Sequence, residues 1–302
     1  MDVELLREAE PVGPGHADRL GRAFAAADKR LWCYFAPFIG CYSLPPGREV
    51  LLFRHEGSLW LLVRRRRDEE DQVDLLVPPL PMPVAGLGGA LDALLAYNQG
   101  RHPRILWVDE ADAARIPRDR FRLEPKDREY LYDPRVVAAA SGRPFRDLRK
   151  RVSRFRRSHM PEFRELAPSD GRACEQLLRH WRRRQGRKHG FLLDWGYTRA
   201  AVERYGPWSR EGLQGWCVEL DGRVAAFGMA GRMQEEVASF FIAKADPDVW
   251  GLSEYLRWEI YRCLSKFQLV NDAGDLGLPG LRQHKMKFRP VAYLTAYAAE
   301  AV

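Results

Sequence analysis

The sequence predicts a mixed α+β chain made of two similar units, and three observations carry that prediction. Two β-rich runs fold back on an acidic residue followed by glycine, Glu56-Gly57 and Asp221-Gly222, and the Asp-Gly pair is the stronger hairpin signal. Behind each hairpin the order strand, helix, strand recurs at similar spacing. The chain has 302 residues, 46% apolar and 11% aromatic, enough for one large core or two ordinary ones.

Taken in order, the first half begins with helical sequence over 17–30. EVLLFRHEGSLWLLVRR reads as strand, turn and strand, and VDLLVPP as a third strand. A helix over about 87–99 and a strand, RILWVDE, complete the unit. In the second half helices are expected over 172–188 and 198–205. The hairpin GWCVELDGRVAAFGMAG and the strand VASFFIAKA follow, then a helix over about 253–267 and the strand QLVND. Leu256, Ile260, Tyr261, Leu264 and Phe267 fall at helical spacing and mark a core face, with Ser253 as the expected cap and Gly251 in the turn before it. Helices, an antiparallel sheet and a strand–helix–strand crossover are the order of an acyltransferase fold of the GNAT type. The expected architecture is therefore two tandem GNAT-like domains, residues 1–135 and 136–302, the second carrying the active site.

In GNAT enzymes the start of the crossover helix holds the pyrophosphate of acetyl-CoA on backbone N–H groups of a Q/R-x-x-G-x-G/A loop. The matching stretch here, DPDVWGLSEYL, keeps Gly251 but has Asp248 in place of Gln/Arg and Ser253 in place of the last Gly/Ala. Asp246 and Asp248 would repel a pyrophosphate, so CoA is doubtful as a cofactor and none other is expected.

Charge is regional. Lys and Arg total 49 against 41 acids, a net +8. Residues 141–190 hold sixteen Lys/Arg and five Asp/Glu, a local +11, so the remainder sums to −3. Two clusters make this excess, RPFRDLRKRVSRFRR and HWRRRQGRKHG. One reading is solvated helix faces. The other is a polyanion track, because Arg146, Arg149, Lys150, Arg154 and Arg157 recur every three or four residues. Phe155, Trp181 and Phe191 interleave, as base stacking would require. A third run, Arg64–Arg67, is followed by DEED and reads as a hairpin tip.

Five widely spaced cysteines without a C-x-x-C pair argue against a disulfide framework and a structural zinc site. The histidines show no ligand spacing, with His180 and His189 expected on exposed helix surface, and no metal is expected. The first fifteen residues carry four acids and no apolar run, unlike a secretory signal. No window offers the apolar length a spanning helix needs. The expected location is the cytoplasm, with peripheral membrane contact left open.

Ionisable residues crowd behind the last predicted strand in VNDAGDLGLPGLRQHKMKFRP. Asn271, Asp272 and Asp275 sit at the strand end, Gly274, Gly277 and Gly280 permit sharp turns, and Arg282, His284, Lys285, Lys287 and Arg289 follow. Polar groups at the carboxyl end of a core strand are common site positions, and an ordinary charged loop is the alternative. No HExxH, G-x-S-x-G or P-loop motif occurs.

Two stretches resemble the phosphatidylglycerol lysyltransferase C-terminal-type family. Its opening motif, Y-x-Y, G-R, K-R, F, is matched by Tyr130, Tyr132, Gly142, Arg143, Lys150, Arg151 and Phe155. Its terminal motif is matched by Asn271, Asp275, Leu276, Gly277, Gly280, Leu281, Arg282, Lys285 and Pro290. LLVPPLPMP is similar to the strand-plus-proline signature of the first half. The asparagine that usually follows K-R is Val152 here.

The resemblance implies tandem GNAT-like domains and transfer of an aminoacyl group from aminoacyl-tRNA to an amine or hydroxyl. Lys285 and Arg282 would stabilise the oxyanion. Asp275 or Asp272 would hold the α-ammonium, orient the lysine or take a proton, and Asn271, Asp272 and Tyr132 would bind substrate. tRNA would lie on Arg143, Arg146, Lys150, Arg151, Arg154, Arg182, Arg183 and Arg187. The expected acceptor is a small molecule of a biosynthetic pathway. Phosphatidylglycerol or a peptide or cell-wall precursor, an acyl-CoA-dependent N-acyltransferase, and an RNA-binding protein without turnover are the alternatives.

Overall fold

The computed structural model describes residues 8–67, 70–83, 87–185 and 195–302. The chain forms two compact units, one of residues up to Arg128 together with Leu294–Val302, the other Glu129–Tyr293. In the first unit β1 (Glu10–Pro11), α1 (Ala17–Ala26) and α2 (Ala36–Tyr42) precede an antiparallel set, β2 (Arg48–His55), β3 (Ser58–Arg67) and β4 (Glu70–Leu75). Helix α3 (Gly88–Tyr97) then crosses to β5 (Arg104–Val108), which is parallel to β4, and α4 (Glu110–Ala113) follows. Glu56 and Gly57 both take positive φ, as a tight hairpin of right-handed twist requires. The arginine run lies along β3 and is matched by acids across it: Arg64 pairs with Glu49, Arg65 with Asp74 and Arg66 with Asp71.

A twelve-residue strand, β6 (Phe121–Tyr132), leads into the second unit. There α5 (Pro134–Ala139), α6 (Arg146–Ser158), β7 (Glu162–Glu165), α7 (Gly171–Gln185), α8 (Trp195–Glu203) and α9 (Tyr205–Arg210) precede the strands β8 (Leu213–Leu220), β9 (Arg223–Arg232) and β10 (Val237–Ala245). Helix α10 (Leu252–Cys263) crosses to β11 (Leu269–Asn271), parallel to β10, and α11 (Pro279–Met286) follows. The strand order here is β6-β11-β10-β9-β8-β7. The last strand, β12 (Ala292–Ala301), pairs antiparallel with β5 through Tyr297↔Val108 and Ala299↔Ile105. Each unit thus repeats three antiparallel strands, a helix and a parallel strand, a mixed α+β architecture.

Two expectations shift. The sequence places the boundary around residues 125–150 and divides the chain after residue 135; the units divide after Arg128, within that stretch and inside β6, and the final nine residues belong with the first unit. The second is the cap of α10. Gly251, at φ 83°, is its N-cap and no side chain caps it; the Ser253 hydroxyl lies 3.5 Å from His284 Nε2 instead.

The second core gathers Leu148, Val152 and Phe155 of α6 with Leu256 and Ile260 of α10 and Val270 of β11. Val152 is buried there, so the position that departs from the family motif serves packing. All five cysteines are free thiols. Among the described residues no helix is long and apolar enough to cross a membrane.

Candidate active site

The turn after β11 is held from three sides. Asp272 is buried and exchanges backbone hydrogen bonds with the end of β6: its N–H donates to the Tyr130 carbonyl at 3.0 Å, and Tyr130 N–H donates to Ala273 at 3.1 Å. The Asp272 carboxylate accepts from Arg257 of α10 and lies 3.4 Å from the Tyr261 hydroxyl. From α11 the Lys285 ammonium donates to the Asp272 carbonyl and stands 3.1 Å from the carboxylate. The Tyr132 hydroxyl donates to the Lys285 carbonyl at 3.0 Å. Two cations therefore meet the Asp272 carboxylate in the interior, where little water screens the charges.

Asp275 sits three residues on. Its Oδ1 accepts the Gly277 N–H at 3.0 Å, and its Oδ2 accepts from Arg282 Nε at 2.8 Å and from the Tyr130 hydroxyl. Burial pushes its pKa up, but these donors outweigh burial and hold the carboxyl below the usual range. Arg282 keeps 57% of its side chain exposed. The chain reaches this geometry through left-handed residues at Ala273, Leu276 and Gly277; Gly280, expected to permit a sharp turn, is not left-handed.

The start of α10 is covered rather than open. A Cβ on Gly251 would lie 3.1 Å from Phe155 Cβ and 3.3 Å from the Arg151 carbonyl, both on α6. The buried carboxylate of Glu254, in the first turn, takes Lys287 Nζ at 2.7 Å and Arg151 at 3.6 Å, with His284 Nδ1 3.9 Å away. Burial first, and then the nearby Arg257, Lys287 and Lys285 charges, hold the His284 pKa well below its ordinary value, so the ring is neutral at pH 7. Asp248 turns toward α7, where Arg184 and His180 bind it. His180, Asp246 and Asp248 bring potential ligand atoms within 4.8 Å of one another, but Arg184 already balances Asp248.

Helix α6 is two-faced. Leu148, Val152 and Phe155 are buried, while Arg146, Lys150, Arg154 and Arg157 are exposed on the opposite side and form no ion pair among the described residues. Arg149 belongs elsewhere: it donates to the carbonyls of Ala140 and Gly142 behind α5. Trp250, 47% exposed, has the guanidinium groups of Arg151 and Arg154 each 5.0 Å from its ring. A cavity of about 210 Å³ opens beside it, lined by Arg154, Phe155, Ser158, His159 and Trp250.

The structure brings Lys285, Asp275, Arg282, Asp272, Asn271 and Tyr132 together, Arg282 exposed and the others buried. Asn271, Asp272 and Tyr132, expected to bind substrate, are buried on intrachain partners; Asn271 Nδ2 donates to Glu129 at 2.6 Å and its Oδ1 accepts Ala273 N–H. They frame the site. Lys285 is buried as well, and of the three expected catalytic residues Arg282 is the exposed one. Of the expected RNA contacts, Arg143, Arg146, Lys150 and Arg154 are exposed and Arg151 is half-buried on Glu254. Arg182, exposed on α7, lies over Trp195, and Arg183 is exposed. Arg187, Phe191 and His189 fall outside the described residues. Phe155 is core rather than a stacking surface; Trp181 carries Lys244 over its ring. Trp250, Glu254 and Arg257 escaped the sequence reading, and Lys287 is named there only as one of the charges behind the last strand. Glu254 and Arg257 lie on the predicted helix, but only the fold shows which charges they meet.

Comparison with known proteins places this geometry. No curated protein matches the chain significantly. Among solved structures, a conserved protein of unknown function from Bacteroides thetaiotaomicron VPI-5482 superposes with a TM-score of 0.74 at 19% identity, over 97% of this chain and 99% of that one. The L-PGS of Bacillus licheniformis gives 0.67 at 15% identity over 96% and 92%. A tandem GNAT protein from the clavulanic acid biosynthesis pathway gives 0.50 at 12% identity over 97% and 98%. The fold is thus the tandem GNAT-like fold. The profile of the family described as phosphatidylglycerol lysyltransferase, C-terminal, matches residues 66–300, and the chain belongs to that family.

Proposed function

We propose that this chain transfers an aminoacyl group from aminoacyl-tRNA to an amine or hydroxyl acceptor, a small molecule of a biosynthetic pathway. The observation that carries the reading is the start of α10. Where a CoA-dependent GNAT protein offers bare amides to a pyrophosphate, this chain presents Phe155 of α6 against Gly251 and the Glu254 carboxylate. Directly beside it lie the unpaired basic face of α6 and the exposed Trp250. Basic side chains suit phosphates, and an aromatic face between guanidinium groups suits an unpaired base.

The chemistry is attack of the acceptor on the ester carbonyl. The new C–N or C–O bond forms, the ribose oxygen leaves, and the acceptor's proton passes to that departing oxygen. Arg282 is the cation exposed to the developing oxyanion, while buried Lys285 acts through Asp272 as fixed positive charge. The lowered pKa of Asp275 favours holding an α-ammonium over accepting a proton.

A lipid acceptor is the second reading. It draws support from the family description and from exposed Leu276, Met286 and Tyr293, the last with its hydroxyl 3.6 Å from the Met286 sulfur.

The test is incubation with a pool of charged tRNAs, following which ester is consumed with small amines, with phosphatidylglycerol vesicles, and without acceptor. Acceptor-dependent loss of one ester is expected. Loss of none, with thermal stabilisation by CoA thioesters, would return the chain to acyl-CoA chemistry. RNA binding indifferent to aminoacylation, without turnover, would make it an RNA-binding protein. In single-turnover transfer Arg282→Ala is expected to cost about a hundredfold, and a Lys285→Ala rate within a few-fold of wild type would remove the lysine from the mechanism.

A further inference from the structure

The first unit holds a cavity that the chemistry above does not use. It measures about 560 Å³ and lies between α1, the hairpin end around Gly57, the 79–82 segment and α4, inside the range of about 300–1,000 Å³ typical of small-molecule sites. Its apolar wall is Leu59, Leu80 and Met82, with Ala23 and Ala26 of α1 opposite.

This wall is fixed before any ligand arrives. Leu59 and Leu80 exchange backbone hydrogen bonds of 2.8 and 3.0 Å, and the Ser58 hydroxyl donates to Pro81 at 2.7 Å. At the base Lys29, just beyond α1, is buried and donates to Asp109 at 2.7 Å and Asp112 at 2.6 Å, which ties α1 to α4. Two carboxylates face this one ammonium, and Asp112, whose pKa burial raises, also lines the cavity.

The remaining charge is one-sided. Arg19, Arg54 and Arg115 also line the cavity. Arg54 and Arg115 are exposed and form no side-chain hydrogen bond or ion pair among the described residues. Arg19 reaches Glu10 only at 3.5 Å, and its Nε is buried without a hydrogen-bond partner. An apolar floor under unpaired guanidinium groups selects for a molecule with the complementary halves.

We propose that this cavity binds a small organic anion with an apolar body, its carboxylate or phosphate at Arg54 and Arg115 and its body on the Leu59, Leu80 and Met82 wall. The site is separate from the residues proposed for aminoacyl transfer and does not depend on that reading.

Titration of the whole chain with anilinonaphthalene sulfonate, an aromatic anion whose fluorescence rises on burial, tests this. Saturable binding is expected, displaced about tenfold better by dodecanoate or dodecyl phosphate than by neutral dodecanol. The order of those two anions tells a carboxylate site from a phosphate site. Arg54→Ala with Arg115→Ala, both exposed, is expected to weaken the probe about tenfold, as loss of two charge contacts implies. Ala26→Trp is expected to abolish binding by filling the space. Equal competition by dodecanol, a probe affinity unmoved by the double arginine variant, or binding seen only on phosphatidylglycerol vesicles would each overturn the proposal. Should Ala26→Trp not fold, the double variant decides alone.

Discussion

Lys285 and Asp272 grip each other twice: the ammonium donates to the Asp272 carbonyl and stands 3.1 Å from its carboxylate, with both side chains 3% exposed. Arg257 holds the same carboxylate from the other side. Removing Lys285 therefore leaves Asp272 paired with Arg257, whereas removing the Asp272 carboxylate takes an ion-pair partner from both Lys285 and Arg257. Urea unfolding should show Lys285→Met costing about 3 kcal/mol and Asp272→Asn more, since the second change breaks two buried ion pairs rather than one. The reverse order would mean that the cluster is not dry.

Asp275 supplies a pH dependence whose sign is fixed by its donors. Its carboxyl is held below the unfolded value, so its stabilisation is present above that value and is lost as pH falls through the folded pKa. Tyr130→Phe removes one donor and raises the folded pKa, so acid unfolding followed by tryptophan fluorescence should begin at higher pH than in wild type. An unmoved acid limb would show that the tyrosine contributes nothing to Asp275.

Lys126 on β6 behaves oppositely. Its ammonium donates to the Leu106 carbonyl at 2.6 Å over the Trp107 ring, and burial lowers its pKa from 10.5 to about 8. Between these values the unfolded chain holds the proton and the folded chain does not, so stability rises with pH across that window. The penalty is fully present below about pH 8. Lys126→Met should flatten this rise when the two proteins are unfolded in parallel from neutral pH to pH 10.5.

Gly251 joins α10 to α6. Alanine there meets both a left-handed backbone and Phe155 at 3.1 Å, and should cost about 1–3 kcal/mol in a thermal melt. Gly57, also left-handed but with open space around it, isolates the backbone part; Gly57→Ala should cost only about 1 kcal/mol. Equal costs would mean that α6 does not press on the helix start.

The face proposed for RNA separates into charge and stacking. Lys150→Ala should flatten the log–log salt dependence of tRNA binding by roughly one phosphate contact, and adding Arg151→Ala should weaken binding further. Trp250→Ala should lower affinity about tenfold with the slope unchanged, because stacking releases no counterions. An unchanged slope in the double variant would take α6 off the tRNA path.

Local chemistry made much of this fold legible. The Asp221-Gly222 turn takes positive φ at both residues, and β10 spans Val237–Ala245 as its apolar run indicates. Both depend on neighbours in sequence. The two long strands that escaped notice do not. In β6, FRLEPKDREYLY carries Pro125 and a run of charges that read as a connection; in β12, AYLTAYAAEA is alanine-rich and has little strand propensity of its own. Ladder pairing with β11 and β5 makes them strands.

By itself, the sequence determined the repeated order of elements, the regional positive charge and the motif residues that meet behind β11, because turns, periodicity and charge are properties of short stretches. Only the tertiary structure decided that Lys285 faces inward on Asp272, that Phe155 belongs to the core while Trp250 is the exposed ring, and that Glu254 is met by Arg151 and Lys287. Those outcomes depend on which distant side chains share a low-dielectric interior, where each buried charge must find its opposite.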